Sequence, residues 1–256
     1  MQNSTYEIVK IEDLLAPNPY PGRGIVIGKT PDGTKAVFAY FIMGRSENSR
    51  NRVFTLFPDL SVRTEPADSS KFQDPSLVIY APIRLAVGGP DEENPDHGVV
   101  VTNGDQTDTI VEGMDKGLSF SESLRSREFE PDSPNWTPRI SGFLNFKNGG
   151  YTYSMSILKS ADPEGTACNR FTYDYAPLCG QGHFIHTYAG DGNPLPTFTG
   201  EPERVYIPDD IDEFTNTIWD NLDPDNKISL IVRYIAIDNG TEHHVEQRLI
   251  NKYTKV

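Results

Sequence analysis

The chain is poor in cysteine, poor in positive charge and without a long apolar run. Of its 256 residues only two are cysteine, Cys168 and Cys179. That is too few for a disulfide framework or a cysteine-based zinc site, and two reduced thiols suit a reducing compartment. Lys and Arg number 23 against 37 Asp and Glu, giving a formal charge of −14. Nucleic acid and anionic membrane both require a basic face, so neither is expected as a partner. A small anion is not excluded, because a few local arginines can hold a phosphate on an acidic protein. No stretch of ~18 apolar residues occurs, which argues against a spanning helix. Residues 1–17 mix one lysine with three acids and carry no continuous apolar segment, so a secretory signal is not expected and the anticipated location is cytoplasmic. G-x-S-x-G, Walker A and Rossmann fingerprints are also missing.

The pattern that is present is mostly strand-like. Residues 24–28 and 35–43 flank Thr30-Pro31-Asp32-Gly33-Thr34, a hairpin signal. Further β-type runs lie at 53–57, 77–84, 98–102, 139–146, 151–158, 182–188, 228–238 and 245–253, with a second hairpin turn at 147–150. Helices are expected at 105–116, with Asp105 as its cap, and at 119–130, where Ser119 and Glu122 form a capping-box pattern. A third is expected at 209–222, where Ile211, Phe214, Ile218 and Leu222 share one face before Pro224. Segments 160–177 and 190–208 look like long loops. Strands first, then helices, then strands again suggest an α+β fold with antiparallel sheets covered by helices. The length fits one domain over 1–256.

Several polar constellations could carry chemistry. Residues 102–110 (TNGDQTDTI) join a strand to a helix, where unpaired backbone N–H groups accept anions. Asn103, Thr107, Asp108 and Thr109 surround that junction. Residues 44–52 gather Arg45, Arg50 and Arg52, side chains shaped for phosphate, although a solvated loop has the same composition. Arg139 opens a strand after Pro138, and Glu128, Glu130 and Asp132 precede it as candidate general bases. Tyr80 and Arg84 are four apart, so a regular strand would place them on one face, with Pro82 between them as a source of distortion. His183 and His186 are three apart and point to opposite faces of a strand, and the adjacent pair His243 and His244 diverges likewise, so no metal is expected.

Taken in order, Tyr20-Pro21-Gly22-Arg23, Gly44-Arg45-Ser46, Asn51-Arg52, Asn103-Gly104 through Ile110, Thr137-Pro138-Arg139-Ile140 and His186-Thr187-Tyr188 resemble the archaeal-type inosine monophosphate (IMP) cyclohydrolase family. The departures are a 19-residue N-terminal extension, Gly44 where the family has Ser, and longer loops between elements. The resemblance implies a four-layer αββα sandwich of two mostly antiparallel sheets flanked by helices, like that of the N-terminal-nucleophile hydrolases. It also implies the last step of purine synthesis: ring closure of 5-formamidoimidazole-4-carboxamide ribotide to IMP with loss of water and no cofactor. The partner would be this small nucleotide, with no nucleic acid or membrane involved and homo-oligomerisation left open.

In this family reading Arg23, Arg45, Arg52 and Arg139 are candidates for the 5′-phosphate. Asn103, Gly104, Thr107, Asp108, Thr109, Ser46, Arg84 and Tyr188 would complete substrate binding. Glu130 is expected as the base, with Glu128 as fallback, and Tyr80 as the donor to the formyl oxygen. Two rivals stay open at this stage: a non-catalytic purine-nucleotide or phosphosugar binder on the same fold, and a carbohydrate or amide hydrolase that uses paired acids.

Overall fold

The computed structural model describes residues 6–71, 79–147, 149–237 and 244–255. The chain begins with α1 (Ile11–Leu15), then β1 (Arg23–Lys29), β2 (Lys35–Met43), the single turn α2 (Glu47–Arg50), β3 (Arg52–Leu56), β4 (Val62–Pro66), β5 (Ile83–Gly88) and β6 (Asp96–Thr102). Next come α3 (Gln106–Asp115), α4 (Phe120–Ser123), β7 (Arg139–Lys147), β8 (Gly150–Ser160), β9 (Cys168–Tyr175) and β10 (Gln181–His186). The last elements are β11 (Glu203–Tyr206), α5 (Ile211–Asn221), β12 (Lys227–Ala236) and β13 (Val245–Asn251). One sheet runs β11-β10-β1-β2-β12-β13 and the other β3-β4-β5-β6-β7-β8-β9. Neighbouring strands pair antiparallel throughout both.

The run KAVFAYFIM in β2 does not alternate because both of its faces are buried. Phe38, Tyr40 and Ile42 point between the sheets with Ile25 and Ile27, against Val99, Val101, Ile140 and Leu144. Ala39 and Phe41 point the other way and pack with Ile11, Leu15, Ile211, Phe214 and Ile218 of α1 and α5. On the far side Ala86, Val100 and Phe143 pack under Ile110, Met114 and Phe120 of α3 and α4. Helices, sheet, sheet and helices thus form the expected αββα layers. The N-terminal extension belongs to the outer layer: Val9 donates to the Arg204 carbonyl at 3.0 Å and accepts from Tyr206 at 2.9 Å. None of the described helices is long and apolar enough to cross a membrane.

Five local expectations are corrected. Segment 160–177 is not a loop but contains β9, and 190–208 contains β11. Both are edge strands and β9 is largely solvent-facing, so neither needs the apolar alternation that marks a half-buried strand. The helix expected over 119–130 is one capped turn plus a 3-10 turn at Leu124–Ser126. Its capping box is present, but the chain then extends to bring Glu130 inward, where its N–H donates to the Thr137 carbonyl at 2.8 Å. The strand expected over 77–84 begins only at Ile83, after Pro82, while residues 77 and 78 lie outside the described set, as does His243. Asp105 does not cap α3 with its side chain, which is claimed by arginines instead.

At the end of the sheets remote from β1's start, His183 is 3 % exposed and stacks on Tyr175 with ring centroids 3.7 Å apart. Burial, aided by Arg204, lowers its pKa to about 4. The ring is therefore neutral at pH 7, and Nδ1 shares a 2.6 Å hydrogen bond with the Tyr153 hydroxyl. A folded pKa below the unfolded ~6.5 means that this site's stabilisation is complete above pH 6.5 and is lost as pH falls toward 4. We expect a loss of about 2–3 kcal/mol over that window. Chemical denaturation of the parent and His183→Phe at pH 7.5 and pH 4.5 checks it. The stability gap between them should shrink in acid, and a gap independent of pH contradicts the assignment.

Candidate active site

The opposite end of the molecule collects the start of β1, the ends of β2, β6 and β10, and the starts of β3 and β7. Four ionisable side chains are buried there: Arg23 (9 % exposed), Arg52 (3 %), Arg139 (6 %) and Glu130 (3 %). Nη2 of Arg23 donates to both Glu130 oxygens, at 2.9 and 3.0 Å. Arg139 enters from the helix-covered side and donates to Asp105 at 2.7 Å and to Gln106 Oε1 at 2.8 Å. Arg127 also pairs with Asp105. Arg52 has no carboxylate partner among the described residues; it donates to the Ser49 and Met43 carbonyls at 2.7 and 3.2 Å. Arg23 Nε is buried without an acceptor among the described residues.

The charges do not balance inside. Three buried guanidiniums face one buried carboxylate, with Asp105 half exposed at the rim. Burial lowers the pKa of Arg52, and Arg23 adds like-charge repulsion. Glu130 is raised by burial, against the opposing pull of Arg23 and Arg139. An anion entering this pocket relieves a positive excess that the protein leaves uncompensated.

Phenols line the rest. Tyr40 and Tyr80 hydroxyls lie 2.8 Å apart, and both phenols are within electrostatic reach of Arg23 and of Arg52. Tyr80 is held by its backbone, its N–H donating to Thr64 Oγ1 and its carbonyl accepting from Thr64 N–H, both at 2.9 Å. Tyr188, stacked on Tyr20, is pushed up to about 12 by burial. Its hydroxyl has a fixed sense. The Asp132 carboxylate accepts from Thr137 Oγ1–H at 2.5 Å, so Thr137 Oγ1 must accept from Tyr188 O–H, also at 2.5 Å. The Tyr188 oxygen therefore presents lone pairs, not a proton, to its surroundings. At the rim Arg45 lies over the Tyr20 ring at 5.0 Å and pairs with Asp191 at 2.5 Å.

The sequence-expected residues separate into three groups. Arg23, Arg52, Tyr80, Glu130, Arg139 and Tyr188 converge, with Arg45 at the rim. Asn103, Gly104 and Thr107 frame the pocket instead of facing a ligand with free polar atoms. The Asn103 side chain donates to the Pro138 carbonyl at 2.8 Å and accepts from Ile140 N–H at 2.8 Å and Gln106 at 2.9 Å. Thr107 Oγ1 is spent on Gly104 and Thr102. Gly104 sits so close that a Cβ would lie 2.6 Å from Arg139 Nη1 and from Gln106 Oε1. Arg84 and Asp108 pair with each other at 2.6 Å on the outer, helix-covered face. Ile83 points between the sheets, so its neighbour Arg84 points away, and the shared face expected for Tyr80 and Arg84 is lost at Pro82. Ser46 is exposed and caps α2 by accepting from Ser49 N–H, and Thr109 is a half-buried helix residue. The fallback base Glu128 is exposed, 3.6 Å from Arg170.

Tyr40, Gln106 and Thr137 escaped the sequence reading as functional residues, whereas Asp132, a candidate base there, is the acceptor of the Thr137 N–H and hydroxyl in the structure. Thr137 lies inside a quoted motif and Gln106 inside the strand-to-helix junction, so position was a usable signal for both. Tyr40 gave none, because a tyrosine in an apolar strand is compositionally a core residue.

Fold and site together define a class: a four-layer α+β sandwich with a buried cluster of arginines, a carboxylate and phenols at one end of its two sheets. The model of the family described as IMP cyclohydrolase-like protein matches residues 20–240, and the chain belongs to that family. It is 30 % identical over 164 residues to the IMP cyclohydrolase of Methanosphaera stadtmanae, covering 61 % of this chain and 74 % of that one. It is 32 % identical over 136 residues to the IMP cyclohydrolase of Methanococcus maripaludis strain C7, covering 52 % and 61 %. The Methanopyrus kandleri IMP cyclohydrolase is 31 % identical over 131 residues, covering 48 % and 57 %.

Proposed function

We propose that this chain is an IMP cyclohydrolase acting in the cytosol on 5-formamidoimidazole-4-carboxamide ribotide. The observation that carries the reading is the uncompensated Arg52 beside the Arg23–Glu130 pair, within reach of Tyr80. Family membership supplies the substrate. Ring closure joins the carboxamide nitrogen to the formyl carbon. The carboxamide nitrogen gives up a proton and the formyl oxygen gains one to become the hydroxyl of a carbinolamine; that hydroxyl then takes a second proton and leaves as water while the former formamide nitrogen loses its hydrogen and the ring C=N bond forms.

Each part has a fitting group. Arg52, with Arg45 at the rim, holds the 5′-phosphate, since Arg52 has no acid to exchange for it. Arg23 and Arg139 keep Glu130 ionised and oriented. Glu130 takes the carboxamide proton. Tyr80 donates to the formyl oxygen as charge develops there. Tyr188 accepts from a substrate N–H or O–H. Holding the two ring substituents in a near-attack arrangement lowers the entropic part of the barrier.

An ultraviolet assay with the ribotide, with and without EDTA, tests the reading. EDTA-insensitive formation of IMP is the expected result. Ligand binding without turnover would favour the non-catalytic binder, and competition by inosine as strong as by IMP would remove the phosphate requirement. The phosphate role has its own check. Arg52→Gln should raise KM about 10–100-fold, the equivalent of one lost charge-assisted contact of ~1.5–3 kcal/mol, and leave inosine binding unchanged. A KM within twofold of the parent excludes Arg52 as the anchor.

A further inference from the structure

Tyr40 is fully buried on the β2 face between the sheets, its ring 5.6 Å from that of Phe54 and stacked on it. The apolar groups around it include Ile25 and Ile231, its neighbours on β1 and β12. Among the described residues its hydroxyl has one hydrogen-bond partner, that of Tyr80 at 2.8 Å. Geometry alone allows either phenol to donate, but burial separates the two cases. If Tyr80 donated, the buried Tyr40 proton would be left with no acceptor among the described residues, which buried donors avoid. If Tyr40 donates, both groups are satisfied, because Tyr80 is 8 % exposed and its own proton can meet a ligand. A hydroxyl that accepts one hydrogen bond becomes a stronger donor in the next. Arg23 and Arg52 act in the same direction, since both stabilise negative charge on either phenol.

We propose that Tyr40 is a positioning residue for ring closure: its buried hydroxyl donates to Tyr80 and so directs the Tyr80 proton to the formyl oxygen. The inference rests on Tyr80 acting as the donor to that oxygen. It makes the electrophilic group a two-phenol chain, with the inner phenol setting the sense of the outer one.

The test is a double-mutant cycle of Tyr40→Phe, Tyr80→Phe and the combined variant, with kcat, KM, IMP affinity and Tm measured for each. Tyr40→Phe should lower kcat about 5–20-fold, a fraction of the full donor effect, with KM and IMP affinity within about twofold. In the Tyr80→Phe background it should change kcat by less than about twofold, because there is no hydroxyl left to direct. A merely structural role predicts a falling Tm, a rising KM and the same loss of kcat in both backgrounds, and that result overturns the proposal. So does unchanged kcat in Tyr40→Phe when Tyr80→Phe is impaired. Full turnover in Tyr80→Phe alone would instead sink the donor assignment itself and this inference with it, an outcome visible before the cycle is closed.

Discussion

Glu130→Gln should lower kcat by about 10²–10⁴, the usual contribution of a positioned general base, while IMP still binds. Glutamine keeps the size of the side chain and one acceptor for Arg23, so the pocket persists, but its amide cannot take a proton at neutral pH. Removing the negative charge leaves Arg23 facing Arg52 without compensation. Affinity for the phosphate-bearing product should therefore hold or tighten, and Tm should fall. Breaking a buried ion pair outright costs about 3–5 kcal/mol, and the retained acceptor keeps the loss below that range. The pH profile gives a second signature. Burial lifts the Glu130 carboxyl above the ordinary carboxylate range, and a base works only when ionised. Turnover of the parent should thus fall, as pH is lowered, at a pH above the ~4.3 of a free glutamate. That acid limb should vanish in the variant. Glu128→Gln is the control, because Glu128 points to solvent beside Arg170 and should leave turnover within twofold. A Glu130→Gln enzyme within tenfold of the parent, or a larger loss in Glu128→Gln, would reassign the base.

Tyr80→Phe should cost about 10²–10³ in kcat, the effect of deleting one donor at a developing oxyanion. KM should stay near the parent value, because the donor bond strengthens only as charge appears on the formyl oxygen. The ring itself is fixed without its hydroxyl by the paired backbone bonds to Thr64, so phenylalanine should occupy the same place. Stability should fall by about 1–3 kcal/mol, because the Tyr40 hydroxyl loses its acceptor. Steady-state kinetics together with IMP calorimetry separates the cases. Loss of kcat at constant affinity supports the donor role. Loss of affinity in proportion means that Tyr80 binds the ground state only. No loss transfers the role to Arg23, whose Nε is buried without an acceptor among the described residues.

Much of the fold is legible in residue order alone. The hairpin of β1 and β2 follows from two apolar runs around Pro31-Asp32-Gly33, and α5 from one apolar face between Asp210 and Pro224. These signals are local: a turn residue, a cap, a period. The errors lie where local signals are absent. β9 and β11 are edge strands, each paired in its sheet only with the strand before it, so neither needs an apolar period and their own composition did not announce them. The helix expected over 119–130 stops after its capped start because Phe129 and Glu130 find burial that a helix would deny them. Asp105 looks like a cap and becomes a counter-ion because Arg127 and Arg139 converge on it from other elements.

For the site, sequence supplied the chemical inventory: arginines for an anion, a carboxylate, a phenol, and the family that uses them. Tertiary structure decided which of them meet. Arg84 and Asp108 carry the right chemistry but turn outward at Pro82 and pair with each other. Asn103 and Thr107 spend their hydrogen bonds on the junction that positions Arg139. Tyr40, unmarked in an apolar strand, lies against Tyr80 because β2 ends where the pocket begins. Residue type and periodicity are properties of a neighbourhood of the chain, whereas burial, charge imbalance and the sense of a hydrogen bond depend on partners from distant segments, so only the folded protein could settle them.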